Sequence, residues 1–419
     1  MNRCYPVAGF KGSAPVAPTG SSKDIMESHA AFALNSLLMT VLTLLALITP
    51  AGAALIDAAF GEDDDGPVGM GHLCVAAGSL LGYSLIGHPL IQVVWLDATE
   101  IMLFAMPDHE ASAILGFETE PLGEATESGL NTWTTAVVVA VAAANLAAVG
   151  LRTTSNPLSS LLFGAIFGAF ATPVFWLILI NIDTEGTMFA AGYAGMMGLV
   201  AGMAILTGVL LGQRGDTGGF RQIDGDLPEP DGLLLGFGCL LLLLGVTAIG
   251  LTGSYVFAGA IEALRTLSAM TLSLMCAAAG LAGGVVVGSL FGNAGSTRSA
   301  CAGLSAGLIA SLGHFGEALT LPMQSALLAG IAGGVAAFLT GSRFPGLGRD
   351  GTGLAAGLLV GGLAGYIATA VFNDTEPLPV ILGIGAALGI GLAAGLIANV
   401  VAALAVLRTR RKNKQQPDW

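Results

Sequence analysis

Residues 232–252 read GLLLGFGCLLLLLGVTAIGLT, twenty-one residues without one acid or base. At 1.5 Å of rise per residue, about 20 residues cross the ~30 Å hydrocarbon layer of a bilayer, so this stretch predicts a transmembrane helix. The pattern recurs on both sides of it. Apolar runs of similar length occupy roughly 33–56, 70–94, 132–151, 158–181, 188–212, 256–290, 297–313, 322–341, 353–372 and 378–407, eleven in all with 232–252. The run 256–290 is long enough to tilt or to begin outside the bilayer. Over all 419 residues, 54% are hydrophobic and 10% charged, with a mean hydropathy of +0.80, against about 25% charged in a soluble domain. A soluble globular chain and a disordered one are thereby excluded. The 62 glycines follow no Gly-X-Y period, which excludes collagen. The expected class is an all-α integral membrane protein of about eleven transmembrane helices.

A charge at the bilayer centre costs about 2.5–3.5 kcal/mol on insertion scales, so most acids and bases are expected in loops. The net charge of -13 is then a property of loops. The one dense cationic run, Arg408 to Lys414, is no nucleic-acid surface, and no nucleic-acid partner is expected. Short cytoplasmic loops collect Lys and Arg. With the N-terminus outside, Arg152, Arg214, Arg221, Arg298, Arg343, Arg349, Arg408, Arg410, Arg411, Lys412 and Lys414 fall inside, eleven of the fifteen basic residues. The opposite loops carry acids such as Asp97, Glu100, Asp183, Glu185, Asp374 and Glu376. An odd number of spans is therefore expected, in a cytoplasmic (inner) membrane, with the C-terminus inside. Ala51-Gly52-Ala53 has the small-residue pattern of a signal-peptidase site. Cleavage there would leave ten spans and put the basic tail outside, so a retained first helix is the preferred reading. The chain divides into a flexible extracytoplasmic extension (1–30), a transmembrane domain (31–407) and a short basic cytoplasmic tail (408–419).

Glycines recur at four-residue spacing inside the runs, as in Gly164/Gly168, Gly198/Gly202, Gly280/Gly284/Gly288, Gly303/Gly307 and Gly357/Gly361/Gly365. That spacing lines one helix face and predicts close backbone packing. The one Gly-x-Gly-x-x-Gly match, Gly346 to Gly351, has no strand before it and is no dinucleotide fingerprint. Cys4, Cys74, Cys239, Cys276 and Cys301 form no Cys-x-x-Cys pair and read as small hydrophobes rather than as a metal or disulfide set. His72 and His88 sit near opposite ends of the second run, and His29, His109 and His314 lie in loops or the extension, so all are expected at interfaces or in water. Asp57 reads as the water boundary of the first helix, Glu62 to Asp65 as a solvated loop, and Glu262 with Arg265 as a local ion pair. No catalytic cluster, cofactor or metal site emerges, so an enzyme is not expected.

Eleven spans with an outer N-terminus resemble the ammonium transporter family, which includes the Rhesus proteins. Ala33 to Ser36, continuing through Pro50-Ala-Gly-Ala-Ala-Leu-Ile-Asp-Ala-Ala-Phe-Gly61, resembles the family's first helix. Phe189-Ala-Ala-Gly-Tyr-Ala-Gly-Met-Met-Gly198, with Leu-Gly-Gln-Arg214 after it, is similar to its fifth. Leu235 to Ser254 is similar to the sixth, and Ala302 to Ala310 and Ala326 to Gly334 to the eighth and ninth, while Asp350 and Gly357 to Phe372 fit the tenth. The resemblance implies an inverted five-helix repeat plus a C-terminal helix, a homotrimer with one pore per subunit, and passage of ammonium or ammonia without ATP.

The departures lie in the pore. Of the family's two pore histidines, the first falls on Met196 or Met197 and the second on or next to Leu358. The acid before the fifth-helix block is replaced by Met188, one aromatic gate by Gly250, and a second gate falls near Val137. Ser254 matches a serine of the outer recognition site, and Trp176 lies close to the family's fourth-helix tryptophan. An imidazole pair accepts hydrogen bonds and relays protons; methionine and leucine do neither. Two readings follow. The first is an ammonium or ammonia transporter or channel. The second is a divergent non-conducting member acting as a sensor or structural subunit, or a pore for another small neutral solute. The family's cytoplasmic regulators bind inner loops and tail, and the brevity of the segment after Leu407 argues against such a partner.

Overall fold

The computed structural model describes residues 37–60, 68–91, 124–150, 157–182, 189–212, 230–252, 260–290, 296–313, 322–341, 352–372 and 376–413. Each stretch carries one helix: α1 (Leu37–Ala59), α2 (Val68–Ile91), α3 (Glu124–Ala147), α4 (157–182), α5 (189–212), α6 (Gly232–Thr252), α7 (Ala260–Leu290), α8 (Ser296–Leu312), α9 (Pro322–Gly341), α10 (Leu354–Phe372) and α11 (Pro377–Asn413). No strand occurs among the described residues. The eleven apolar runs are eleven helices, and the molecule is a multi-pass helical membrane protein. The extension 1–30, Ser254, Met188, the acidic run 62–65, His29, His109, His314 and the Gly346–Gly351 match lie outside the described residues. Glu262 and Arg265 fall within α7, but their side chains are likewise outside the description.

The helix starts follow from the sequence. Proline opens α4, α9 and α11, where its missing N–H costs nothing. Asp231 caps α6, its Oδ1 accepting from the amides of Leu233 (2.9 Å) and Leu234 (3.3 Å). Among the described residues nine helices are long and apolar enough to cross a membrane; the described apolar part of α3, Thr134–Ala147, and α8, with 17 residues, are shorter. α3 is enclosed by its neighbours. From Val137 to Val149 its hydrophobic side chains are buried against other helices, so it meets protein rather than lipid. Its polar first turns, from Glu124, precede the expected start at 132. Residues 408–413, expected in a separate tail, continue α11. Arg298, expected on the inner side at the start of the eighth run, lies in the first turn of α8, buried against Gly353, which holds a left-handed φ of +74°.

Two sets of five helices make the bundle. In the first, α2 packs on α4; in the second, α7 packs on α9. The sets meet where α1 crosses α6 and where α5 crosses α10. With five spans each, the second set enters the membrane from the side opposite the first, which makes the repeat inverted. The eleventh helix lies against α4 and α5, outside the repeat. Glycine faces set the close crossings. A Cβ on Gly164 would strike the carbonyl oxygen of Val75, one on Gly82 that of Ala165, and one on Gly280 that of Gly303. Small residues thus let backbones touch where hydrophobicity alone gives no drive to associate. Three helices widen locally to π geometry: α2 at Tyr83–Gly87, α4 at Phe167–Ala171 and α5 at Gly195–Val200.

Candidate functional site

The widened turn of α5 sits at the centre of the molecule. Met196 and Met197 lie within it, and both are fully buried, as is Leu358 on α10. The two helices are in backbone contact there. A Cβ on Gly198 would lie 2.7 Å from the Cα of Gly362 and 2.8 Å from the Leu358 carbonyl oxygen. One on Gly202 would lie 3.0 Å from the Leu358 Cβ. The side chains expected in the narrow pore, Met196, Met197 and Leu358, are thus all apolar and buried where α5 and α10 cross.

Above Met196, α5 meets an aromatic collar. Trp176 of α4 stacks edge-on against Tyr193 at 5.6 Å between centroids and 73°, and Phe175 meets Trp176 at 5.7 Å. The hydroxyl of Tyr366 on α10 lies 2.7 Å from where a Cβ on Gly195 would be. That hydroxyl is buried and has no hydrogen-bond partner among the described residues. Tyr366 is thus a polar group facing the crossing that the sequence did not single out. Gly250 is buried near the end of α6. Val137 packs with Tyr83, Ala140 and Val141 in a separate small cluster.

A second polar group lies in the first set of five helices, and here the expectation fails. Asp57 and His72, expected at the water boundary, are buried, His72 with 1% of its surface exposed and Asp57 with none. His72 Nε2 lies 3.2 Å from Asp57 Oδ2, and His72 Nδ1 lies 3.1 Å from Asn145 Oδ1. Asn145 donates from Nδ2 to the Val141 carbonyl at 2.9 Å, and the Gly150 amide donates to Asp57 Oδ1 at 3.0 Å. The physical reason is register: His72, Val75, Ser79 and Gly82 share one helical face, and all are buried. That shared face was the available signal, because Gly82 marks the side on which α4 approaches. Among the described residues no three His, Cys, Asp or Glu side chains gather as metal ligands.

No protein-family model matches the chain, and neither does any curated protein. Solved structures do. The chain is similar to a "Sensor Amt Protein" at 17% identity, covering 92% of this chain and 95% of that one with a TM-score of 0.65. It is similar to Candida albicans Mep2 at 17% identity, 90% and 84% coverage and a TM-score of 0.59. A third likeness is to Nitrosomonas europaea Rh50 of the Rhesus protein family of channels, at 15% identity, 89% of each chain and a TM-score of 0.59. The chain has the ammonium-transporter fold. α5 and α10 each close a set of five helices, and they cross each other. The ammonium-transporter fold thus accounts for why Met196, Met197 and Leu358 come together although they are far apart in sequence.

Proposed function

We propose that the chain is a divergent member of the ammonium transporter and Rhesus family and gives ammonium or ammonia a transmembrane path that ATP does not drive. The observation that supports this is the likeness to Amt, Mep2 and Rh50 structures along about nine-tenths of the chain. The substrate path runs by Ser254, Gly250 and Trp176 to Met196, Met197 and Leu358. Trp176 and Tyr193 offer ring faces that favour a cation over a neutral solute. At the crossing only neutral ammonia passes, because a cation stripped of water there gains no hydrogen bond in return. The protein sits in the cytoplasmic membrane as a homotrimer, with residues 1–30 outside and 408–419 inside. It performs no covalent chemistry.

A second reading is favoured by one observation. Met196, Met197 and Leu358 are fully buried where the α5 and α10 backbones touch. A crossing sealed in this way suits a member that binds at the collar and does not conduct, acting as a sensor or structural subunit. The test is electrogenic current in proteoliposomes after an ammonium jump, beside stopped-flow measurement of ammonia-driven internal pH change. Internal alkalinisation without current is expected for passage of the neutral species. Saturable current would overturn the neutral-species step, and silence in both assays with inserted, folded protein would overturn transport and leave the sensor.

A further inference from the structure

No spacing in the sequence pairs Cys239 with Cys301, but the fold does. α6 and α8 are the first and third helices of the second set, so they cross the membrane in the same direction. Cys239 is the eighth residue of α6 and Cys301 the sixth of α8, about 10 Å and about 8 Å along their axes, so both thiols lie at like depth. α6 packs on α8, and Cys239 packs against the core cluster to which Cys301 belongs. The two side chains are in hydrogen-bond contact, and neither is in a disulfide. Their exposure differs. Cys301 is 3% exposed, whereas Cys239 is half-buried. Gly236, three residues before Cys239 and on the same helical face, is exposed, and a Cβ there would meet nothing within 4 Å. Phe237 and Leu240 beside it are exposed too. A small reagent dissolved in lipid therefore meets Cys239 first and reaches Cys301 through it.

We propose that Cys239 and Cys301 are a reversible thiol–disulfide pair: an organic hydroperoxide in the lipid oxidises Cys239, Cys301 resolves it, and the disulfide formed ties α6 to α8. In the first step the Cys239 sulfur attacks the terminal oxygen of the hydroperoxide, the O–O bond breaks, and the alcohol leaves with the thiol proton, so that Cys239 becomes a sulfenic acid. In the second the Cys301 sulfur attacks the Cys239 sulfur, the S–O bond breaks, and the hydroxyl leaves as water with the Cys301 proton. Two thiols give up two electrons, which reduce one hydroperoxide to an alcohol and water. A dithiol reductant reopens the bond by exchange. The tie has a structural target. α6 is the helix that meets α1, its Gly238 and Gly245 lying against the α1 backbone at Ile56 and Thr49, while Ile309 of α8 reaches the α5–α10 crossing at Gly198. The disulfide thus joins the α1–α6 contact to the crossing, in a conducting or a sensing protein alike.

The experiment treats the full chain in lipid nanodiscs with tert-butyl hydroperoxide, then maps its thiols by alkylation and peptide mass spectrometry. Wild type is expected to lose two of its five alkylatable thiols and to yield a linked Cys239–Cys301 peptide that dithiothreitol removes. Cys301→Ser is expected to stop at the sulfenic acid, captured on Cys239 by dimedone, and Cys239→Ser to keep Cys301 reduced. Equilibrium unfolding in mixed micelles adds a second readout. The closed loop restricts the unfolded chain, so oxidised wild type is expected to unfold at a higher denaturant concentration than reduced, and dithiothreitol to erase the shift. Retention of all five thiols overturns the proposal, as does a disulfide joining Cys239 of two copies, or a Cys239 sulfenic acid that persists in wild type. An oxidised midpoint no higher than the reduced one overturns the tie. The wild-type peptide map decides the matter if either variant fails to fold.

Discussion

Leu358 and His72 show that residue type and burial are separate facts. Leu358 stands where the family resemblance leads one to expect an imidazole, and it is sealed against Gly198 and Gly202 of α5. Restoring the imidazole alone, as Leu358→His, places a polar ring against Gly198 and Gly202, which have no side chain to hydrogen-bond it. A loss of about 1–3 kcal/mol is expected in equilibrium unfolding, the cost of one unsatisfied buried polar group. Unchanged stability would show that the crossing already admits water. That Met196 or Met197, and Leu358, depart from a pattern was legible from the sequence; that they lie at one helix crossing was not. The Asp57–His72–Asn145 cluster was not, because position along a run was weighed and the face was not. Asn145 lies 73 residues from His72, in a run whose other members are all small or apolar, and no periodicity announces such a partner. Tyr366 escaped for the same reason: a hydroxyl inside a glycine-rich helix reads as packing until its surroundings are seen.

At the scale of the element, glycines divide by what approaches them. Gly164 and Gly168 of α4 have the backbone of α2 against them, whereas Gly385 and Gly389 of α11 have nothing within 4 Å. Gly164→Leu should therefore push α2 and α4 apart and cost at least the 1–3 kcal/mol typical of overpacking, read as loss of folded protein in the same micelle titration. Gly385→Ala should be neutral or gain up to about 1 kcal/mol, since alanine is the better helix former. Equal effects would show that the α2–α4 contact is not close. Helix number and the four-residue glycine rows were legible because both follow from spacing. The ends were less so: α3 starts in polar residues, and α11 runs on through Arg408 to Asn413. A charged helix in water and a charged loop have the same composition. The π turns at Tyr83–Gly87, Phe167–Ala171 and Gly195–Val200 left no mark in composition either, since they answer to the packing of neighbouring helices.

The whole molecule was the most legible level, because eleven apolar runs with an odd-span charge pattern leave few membrane architectures. What the sequence did not disclose is an asymmetry between its halves. All three described π turns lie in the first repeat, on α2, α4 and α5, and none of the described helices from α6 to α10 has one. A ring closed by an i→i+5 hydrogen bond contains one residue more than an α turn. Each of those helices therefore carries a surplus residue relative to the groove it fills. Taking one residue out of Phe167–Ala171 lets α4 close to ordinary geometry with the faces on either side still in phase. Taking one out of α10 between Leu358 and Tyr366 turns everything beyond it by about 100°. Size-exclusion profiles of the two deletions should differ accordingly, monodisperse for the first and aggregated for the second, and the reverse would show that the wide turns are needed for folding. The first half of this chain should thus tolerate shortening, at three places, that the second half does not.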